Sequence, residues 1–208
     1  MATATPSPNW TEAEEADLLA RMRAGDDAAF DRFVATLGPR LWTVVRRILR
    51  DEDDAREALQ DAFLSAFKAL ATFQSGARLS TWMHRIAVNA ALMKWRSKSR
   101  RSAHETTVDD LLPAFTETGC HAEPIPTWAD RPDGASIRAE MGALVREQIQ
   151  KLPENVRIVL VLRDIEGLSY EDIAQRLEVT PNAAKIRVHR ARQALKTLLE
   201  PKLSQIQS

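Results

Sequence analysis

Between Pro181 and Leu199 stand Lys185, Arg187, His189, Arg190, Arg192 and Lys196, with no acid among them. Cations grouped this way neutralise phosphates, and side chains beside them can reach base edges in a DNA groove. The elements that must carry them are legible. Ser169 is placed to cap a first helix, with Asp172 three residues on as a capping-box-like partner. Ile173, Ala174 and Leu177 give that helix an apolar stripe. Thr180 caps a second helix, and Pro181 suits its first position, where the missing N–H costs nothing. Ala184, Val188, Ala191, Leu195 and Leu198 recur at spacings of 4, 3, 4 and 3, one continuous apolar face. Residues 167–199 therefore read as a helix-turn-helix with a basic second helix. Such a pair is either a major-groove reader or an amphipathic hairpin with a solvated basic face, and this stretch alone leaves both open.

Other chemistries find little support. Cys120 and His121 are adjacent, with no second pair at zinc spacing, and His84, His104 and His189 also lack ligand partners. No nucleophile–base arrangement and no phosphate loop is present, so neither an enzyme nor a cofactor or metal site is expected. One Cys in 208 residues rules out an intrachain disulfide and suits a reducing cytoplasm. The start MATATPSPNW has neither a basic head nor an apolar run, and no stretch of about 18 apolar residues follows, so no signal peptide or membrane span is expected.

Net charge is zero but segregated. Residues 51–61 hold six acids against Arg56, and residues 78–103 hold seven bases and no acid. Residues 102–136 hold seven acids against Arg131. Such blocks predict surfaces of opposite sign with different partners.

Taken in order, residues 1–10 read as disordered, up to and including Trp10. Thr11 and Glu14 form a capping box ahead of a short helix ending near Gly25. A second helix starts at Asp26–Asp27 and is expected to stop at Gly38-Pro39. A third runs through Leu41, Trp42, Val44, Val45, Ile48 and Leu49. From Asp53 to Leu70 the stripe Ala55, Ala58, Leu59, Ala62, Phe63, Ala66, Phe67 and Leu70 is expected to be buried. The opposite face presents Glu57, Gln60, Asp61 and Leu64, either an acidic docking face with an apolar anchor or a solvated face with one exposed Leu. Ser80 is expected to cap the next helix, with Leu79, Met83, Ile86, Ala87, Ala90 and Met93 on its core face. A second row, Trp82, Arg85, Asn89 and Arg96, suits unpaired bases and phosphates, or is ordinary core aromatic plus solvated cations. Pro113, Pro124, Pro126, Pro132 and Gly134 then break helix across 102–136, an acidic linker with at most a short helix at Val108–Phe115. Helices through Met141–Leu152 and Val156–Ile165, stopped by Pro153 and Gly167, precede the helix-turn-helix. No alternating pattern occurs, so the expected fold is all-α, two small helical domains on a flexible acidic linker.

Three stretches now resemble one family. DAREALQDAFLSAFKAL is similar to a polymerase-clamp docking helix, FQSGARLSTWMHRIAVNAALMKWR to a segment that melts and reads a −10 element, and LPENVRIVLVLRDIEGLSYEDIAQRLEVTPNAAKIRVHRARQAL to a −35 reader. In that order they resemble bacterial RNA polymerase sigma factors of the sigma-70 family, extracytoplasmic-function (ECF) group. The resemblance implies an N-terminal extension and first helix (1–24), a region 2-like domain (25–101), a linker (102–136), a region 4-like domain (137–200) and a tail (201–208). It implies a core polymerase interface at Asp54, Glu57, Gln60, Asp61 and Leu64, and single-strand contacts from Phe73, Arg78, Trp82, Arg85, Asn89 and Arg96. It also implies −35 base contacts from Lys185, Ile186 and His189, and phosphate contacts from Thr180, Asn182, Arg187, Arg190 and Arg192. The implied partners are the clamp of the largest polymerase subunit, the flap of the second, promoter DNA, and the anti-sigma factor that the family often has.

Two departures stand out. Glu178 occupies the turn where members often carry Gly, so the turn geometry is expected to differ. Ile186 replaces a small polar residue and suits a thymine methyl. The rival readings are a DNA-binding regulator that never joins polymerase, and an interaction protein with no DNA role. The linker bears on mechanism. Its roughly 35 residues span about 32 Å as a relaxed coil but about 115 Å stretched. Two promoter elements two duplex turns apart are about 70 Å apart, so the linker must be held extended on DNA.

Overall fold

The computed structural model describes residues 10–73, 77–101 and 134–206. Among them the chain is helical and contains no strand. In the first half, α1 (Glu12–Arg23), α2 (Asp27–Ile48), α3 (Glu52–Ala69) and α4 (Leu79–Arg101) pack together, with a short 3-10 turn at Leu70–Thr72. In the second half, α5 (Gly134–Lys151), α6 (Glu154–Leu160) and α7 (Tyr170–Leu177) pack on α8 (Pro181–Ile206), with a π-helical turn at Val161–Ile165 after α6.

Local chemistry sets most helix starts. Thr11 and Glu14 close the expected capping box, while Asp26 and Asp51 cap α2 and α3. Ser169 Oγ accepts from the Asp172 N–H at 2.9 Å. The Ala183 N–H donates to Thr180 Oγ1 at 3.2 Å, and Pro181 opens α8.

Several expectations fail. α2 does not stop at Gly38-Pro39 but runs through Pro39 to Ile48. Pro39 removes one helical hydrogen bond, yet Phe33, Leu37, Leu41, Val44, Val45 and Ile48 form one buried stripe that only a continuous helix maintains. Ser80 does not cap α4. The helix begins one residue earlier at buried Leu79, and the Ser80 hydroxyl is buried without a partner. Phe67 and Met93, assigned to core faces, are 60% and 63% exposed. In α4 the buried face is Leu79, Met83, Ala87, Val88, Ala91 and Leu92, rotated toward α2 and α3. α5 begins at Gly134, within the span 102–136 read as linker, and α8 continues through Pro201 to Ile206, within the span 201–208 read as tail. The rest of the linker, with Cys120, His121, His104 and the short helix at Val108–Phe115, lies outside the described residues, as do residues 1–9.

The two halves meet. Arg157 of α6 is fully buried, and its guanidinium donates from Nη2 to the Ile48 carbonyl at 2.9 Å and from Nη1 to the Arg47 carbonyl. In return Arg50, just past α2, donates to the Gln150 and Leu152 carbonyls at 2.6 and 2.7 Å. Each arginine thus satisfies carbonyls at a helix end of the other half, groups that helix geometry leaves unpaired. Glu166, its side chain 4% exposed, accepts from Arg47 at 3.2 Å and lies 2.8 Å from His84 Nε2.

Candidate nucleic-acid interface

The helix-turn-helix is built by its stripe. Ile173 and Ala174 of α7 and Ala184, Val188, Ala191 and Ala194 of α8 are buried, and Leu177, Leu195 and Leu198 are half-buried beside them. With that side turned inward, Lys185, Ile186, Arg187, His189 and Arg190 are exposed, as are the first-turn residues Thr180 and Asn182. Ile186 is 46% exposed, an apolar tip on a basic helix. Arg192 is differently placed: its Nε and Nη2 grip Asp164 at 3.0 and 2.5 Å, and that bond raises its pKa further.

The turn between the helices keeps a left-handed residue. Glu178 has φ 57° and ψ 44°, and its N–H donates to the Ala174 carbonyl. The expected change of geometry is absent. The buried stripes on both sides hold the turn, and Glu178 takes a conformation that costs an L residue roughly 1–2 kcal/mol.

The second row lies on α4. Arg85 and Asn89 are exposed, Trp82 and Arg96 half-buried. Phe73 sits largely inside, its ring 4.8 Å from that of Trp82. Three members, Arg78, Asn89 and Arg96, are engaged within the chain. Arg78 donates to the Trp10 carbonyl at 2.6 Å and pairs with Glu15 at 3.3 Å. Asn89 Oδ1 accepts from Arg176 of α7 at 2.8 Å, and Arg96 pairs with Glu178 at 2.7 Å. Between these last two contacts lies a shallow cleft lined by Asn89, Leu92, Met93, Arg96, Gln175 and Arg176.

On α3, Gln60, Asp61 and Leu64 are exposed, with Leu64 at 51%. Asp54 and Glu57 instead face α4: Asp54 accepts from Lys98 at 2.6 Å and Glu57 from Lys94 at 2.5 Å. The Glu57 bond holds Lys94, and the Asp54 bond holds Lys98, above the usual lysine pKa. Part of the acid-free block thus serves as glue to α3. Phe67 meets Phe30 at 4.8 Å and, with Val34 and Leu64, extends the exposed apolar surface beyond the anchor read from sequence.

Sequence reasoning missed Arg157, Arg50, Glu166 and Arg176. Arg157 had a signal, a cation inside the apolar run VRIVLVL. The others look like ordinary surface charges, because their partners stand about 80–120 positions away. Among the described residues no group of His, Cys, Asp and Glu could hold a metal ion.

A basic helix-turn-helix joined to a second helical unit with an aromatic, cationic row defines a two-part DNA-binding protein. The Sigma-70 region 2 model matches residues 33–101, and the Sigma-70, region 4 model residues 143–195. The RNA polymerase sigma-H factor of Pseudomonas aeruginosa is 34% identical over 194 residues, 93% of this chain and 97% of that protein. The ECF RNA polymerase sigma-E factor of Escherichia coli K12 is 30% identical over 184 residues, 88% of this chain and 93% of that protein. The solved structure of CnrH with the cytosolic domain of CnrY aligns with a TM-score of 0.48 at 26% identity, over 90% of this chain and 97% of that one. The chain belongs to the sigma-70 family of RNA polymerase sigma factors, and its curated relatives include ECF members.

Proposed function

We propose that this chain directs promoter-specific initiation by core RNA polymerase through a division of labour among its faces. Lys185, Ile186 and His189 choose the −35 bases. Thr180, Asn182, Arg187 and Arg190 hold phosphates, which position the helix without reading sequence. Arg192 contributes to phosphate binding only if it leaves Asp164. On α4, Trp82, Arg85, Asn89 and Arg96, with Phe73 and Arg78 of the preceding loop, take the opened −10 strand. Unstacking costs a few kcal/mol per base, offset by contacts of about 1–3 kcal/mol per base. Asp54, Glu57, Gln60, Asp61 and Leu64 dock on the polymerase clamp. Residues 25–101 and 137–200 act as the two promoter-reading units. Polymerase does the chemistry, in the cytoplasm.

The carrying observation is the exposed row Lys185, Ile186 and His189 on an acid-free stretch of α8, in a chain that matches both family regions in order. The test is reconstituted transcription with core polymerase on promoters found upstream of transcripts that rise on overexpression. Lys185→Ala or His189→Ala is expected to weaken −35-dependent initiation by about 1–3 kcal/mol and to relax preference at one base position. Unchanged initiation by both variants would overturn the assignment.

A further inference from the structure

We propose that α1 tunes the −10 base preference by holding Phe73 and Arg78 in place ahead of α4, and that Arg23 and Glu15 are the positioning residues that do so. The claim about base preference rests on the functional reading above; the grip itself does not.

The first anchor is Arg23, the last residue of α1. Its Nε donates to the Leu70 carbonyl at 3.2 Å and its Nη2 to the Phe73 carbonyl at 2.5 Å. Both carbonyls stand past the end of α3, where helix geometry leaves such groups short of donors. A planar guanidinium can fork between two carbonyls three residues apart, whereas an ammonium presents one compact charge. The second anchor holds Arg78. Its Nη2 donates to the Trp10 carbonyl at 2.6 Å and its Nε to Glu15 at 3.3 Å. The Glu15 side chain is 12% exposed, and Trp10, the last residue of the stretch expected to be disordered, is buried.

These anchors fix a distance that packing leaves open. A cleft of about 810 Å³, lined by Trp10, Glu15, Leu19, Arg23, Phe73 and Arg78 among others, separates α1 from the residues ahead of α4. Hydrogen bonds across that cleft therefore decide where Phe73 and Arg78 stand. Each then bears on the row of α4. The Phe73 ring lies 4.8 Å from that of Trp82, and the Trp82 N–H donates to the Arg78 carbonyl at 3.0 Å. An unpaired base stacks on such a surface, and its identity is distinguished only when the surface is held still. Arg23 and Glu15 belong to α1 and act through Phe73, Arg78 and Trp82.

The experiment reconstitutes the full chain with core polymerase and measures initiation on promoters carrying each of the four bases in turn at every −10 position. Arg23→Lys keeps the charge but cannot fork. It is expected to reduce the preference for the best base at one or more positions about fivefold, the lower end of what one positioned base contact is worth. The response to −35 substitutions and the affinity for core polymerase are expected to stay at the parent's values. A purely structural role would lower initiation on all promoters alike, and a plain phosphate contact would survive in Arg23→Lys with the preference unchanged; either result overturns the proposal.

Hydrogen exchange in the free chain reads the grip separately. The peptide covering Leu70–Phe73 is expected to exchange at least fivefold faster in Arg23→Lys, and the peptide covering Arg78–Trp82 faster in Glu15→Ala. Unchanged exchange in both overturns the grip. If Arg23→Lys loses helix by circular dichroism, Glu15→Ala carries both measurements under the same criteria, because Arg78 keeps the Trp10 carbonyl. If exchange quickens but the parent never initiates with core polymerase, the sigma reading fails and the grip stands. If exchange quickens and the parent initiates, yet the variants keep its base preference, the positioning role fails alone.

Discussion

Glu178 shows how one residue can hold two tasks in conflict. Its left-handed conformation costs roughly 1–2 kcal/mol, and its carboxylate pairs with Arg96 across the halves. Glycine would remove the strain but add unfolded-chain entropy and lose an exposed ion pair. Glu178→Gly is expected to raise stability by about 0.5–1 kcal/mol, read from the urea midpoint at unchanged slope. A fall in stability would mean that the pair outweighs the strain. The same residue illustrates what spacing alone conveys. A turn position is legible from the helices on either side, but its partner Arg96 is not, because the two stand 82 positions apart.

At the scale of elements, caps and stripes govern. Asp51 accepts from the Asp54 N–H, and this bond, assisted by Lys98 and Arg46, holds its pKa below the usual 3.8. Hydrogen bonds from Arg21 and the α2 backbone lower Asp26, and Ser169 and Arg176 lower Asp172. A carboxylate with a depressed folded pKa stabilises the fold above its unfolded pKa, and that stability is lost as pH falls through the folded value. Acid destabilisation is therefore expected below about pH 4. Asn caps as well as Asp but does not titrate there. Asp51→Asn is expected to keep stability at pH 7 and to flatten the acid limb of a stability–pH curve. In α2, Pro39→Ala restores a hydrogen bond to the Ala35 carbonyl on an exposed part of the helix. It is expected to raise stability by about 2–3 kcal/mol in urea melts, and a loss would show that the helix is shaped around the proline.

For the whole molecule, the acidic face of α3 and the reading faces must act in concert. Asp61 is exposed beside Leu64, next to the apolar patch of Phe67, Phe30 and Val34. Asp61→Arg is expected to weaken assembly with core polymerase at least tenfold in a fluorescence titration, the scale of reversing one charge at a docking rim, while leaving the fold intact by circular dichroism. Normal assembly would remove α3 from the polymerase interface.

The sequence by itself determined most of the helices, the caps Thr11, Ser169 and Thr180, the two-part order and the basic exposed face of α8, because caps and apolar periodicity act over one to four residues. It misplaced the stop at Pro39 and the burial of Phe67 and Met93. A proline's local cost was outweighed by a stripe along the whole helix, and which apolar residues stay exposed depends on the neighbouring helices. Only the tertiary structure decided that Lys94 and Lys98 bind α3 rather than solvent, that Arg192 is held by Asp164, and that Arg157 and Arg50 join the halves. Those are pairings between distant charges, and a charge in a sequence shows its sign but not its partner.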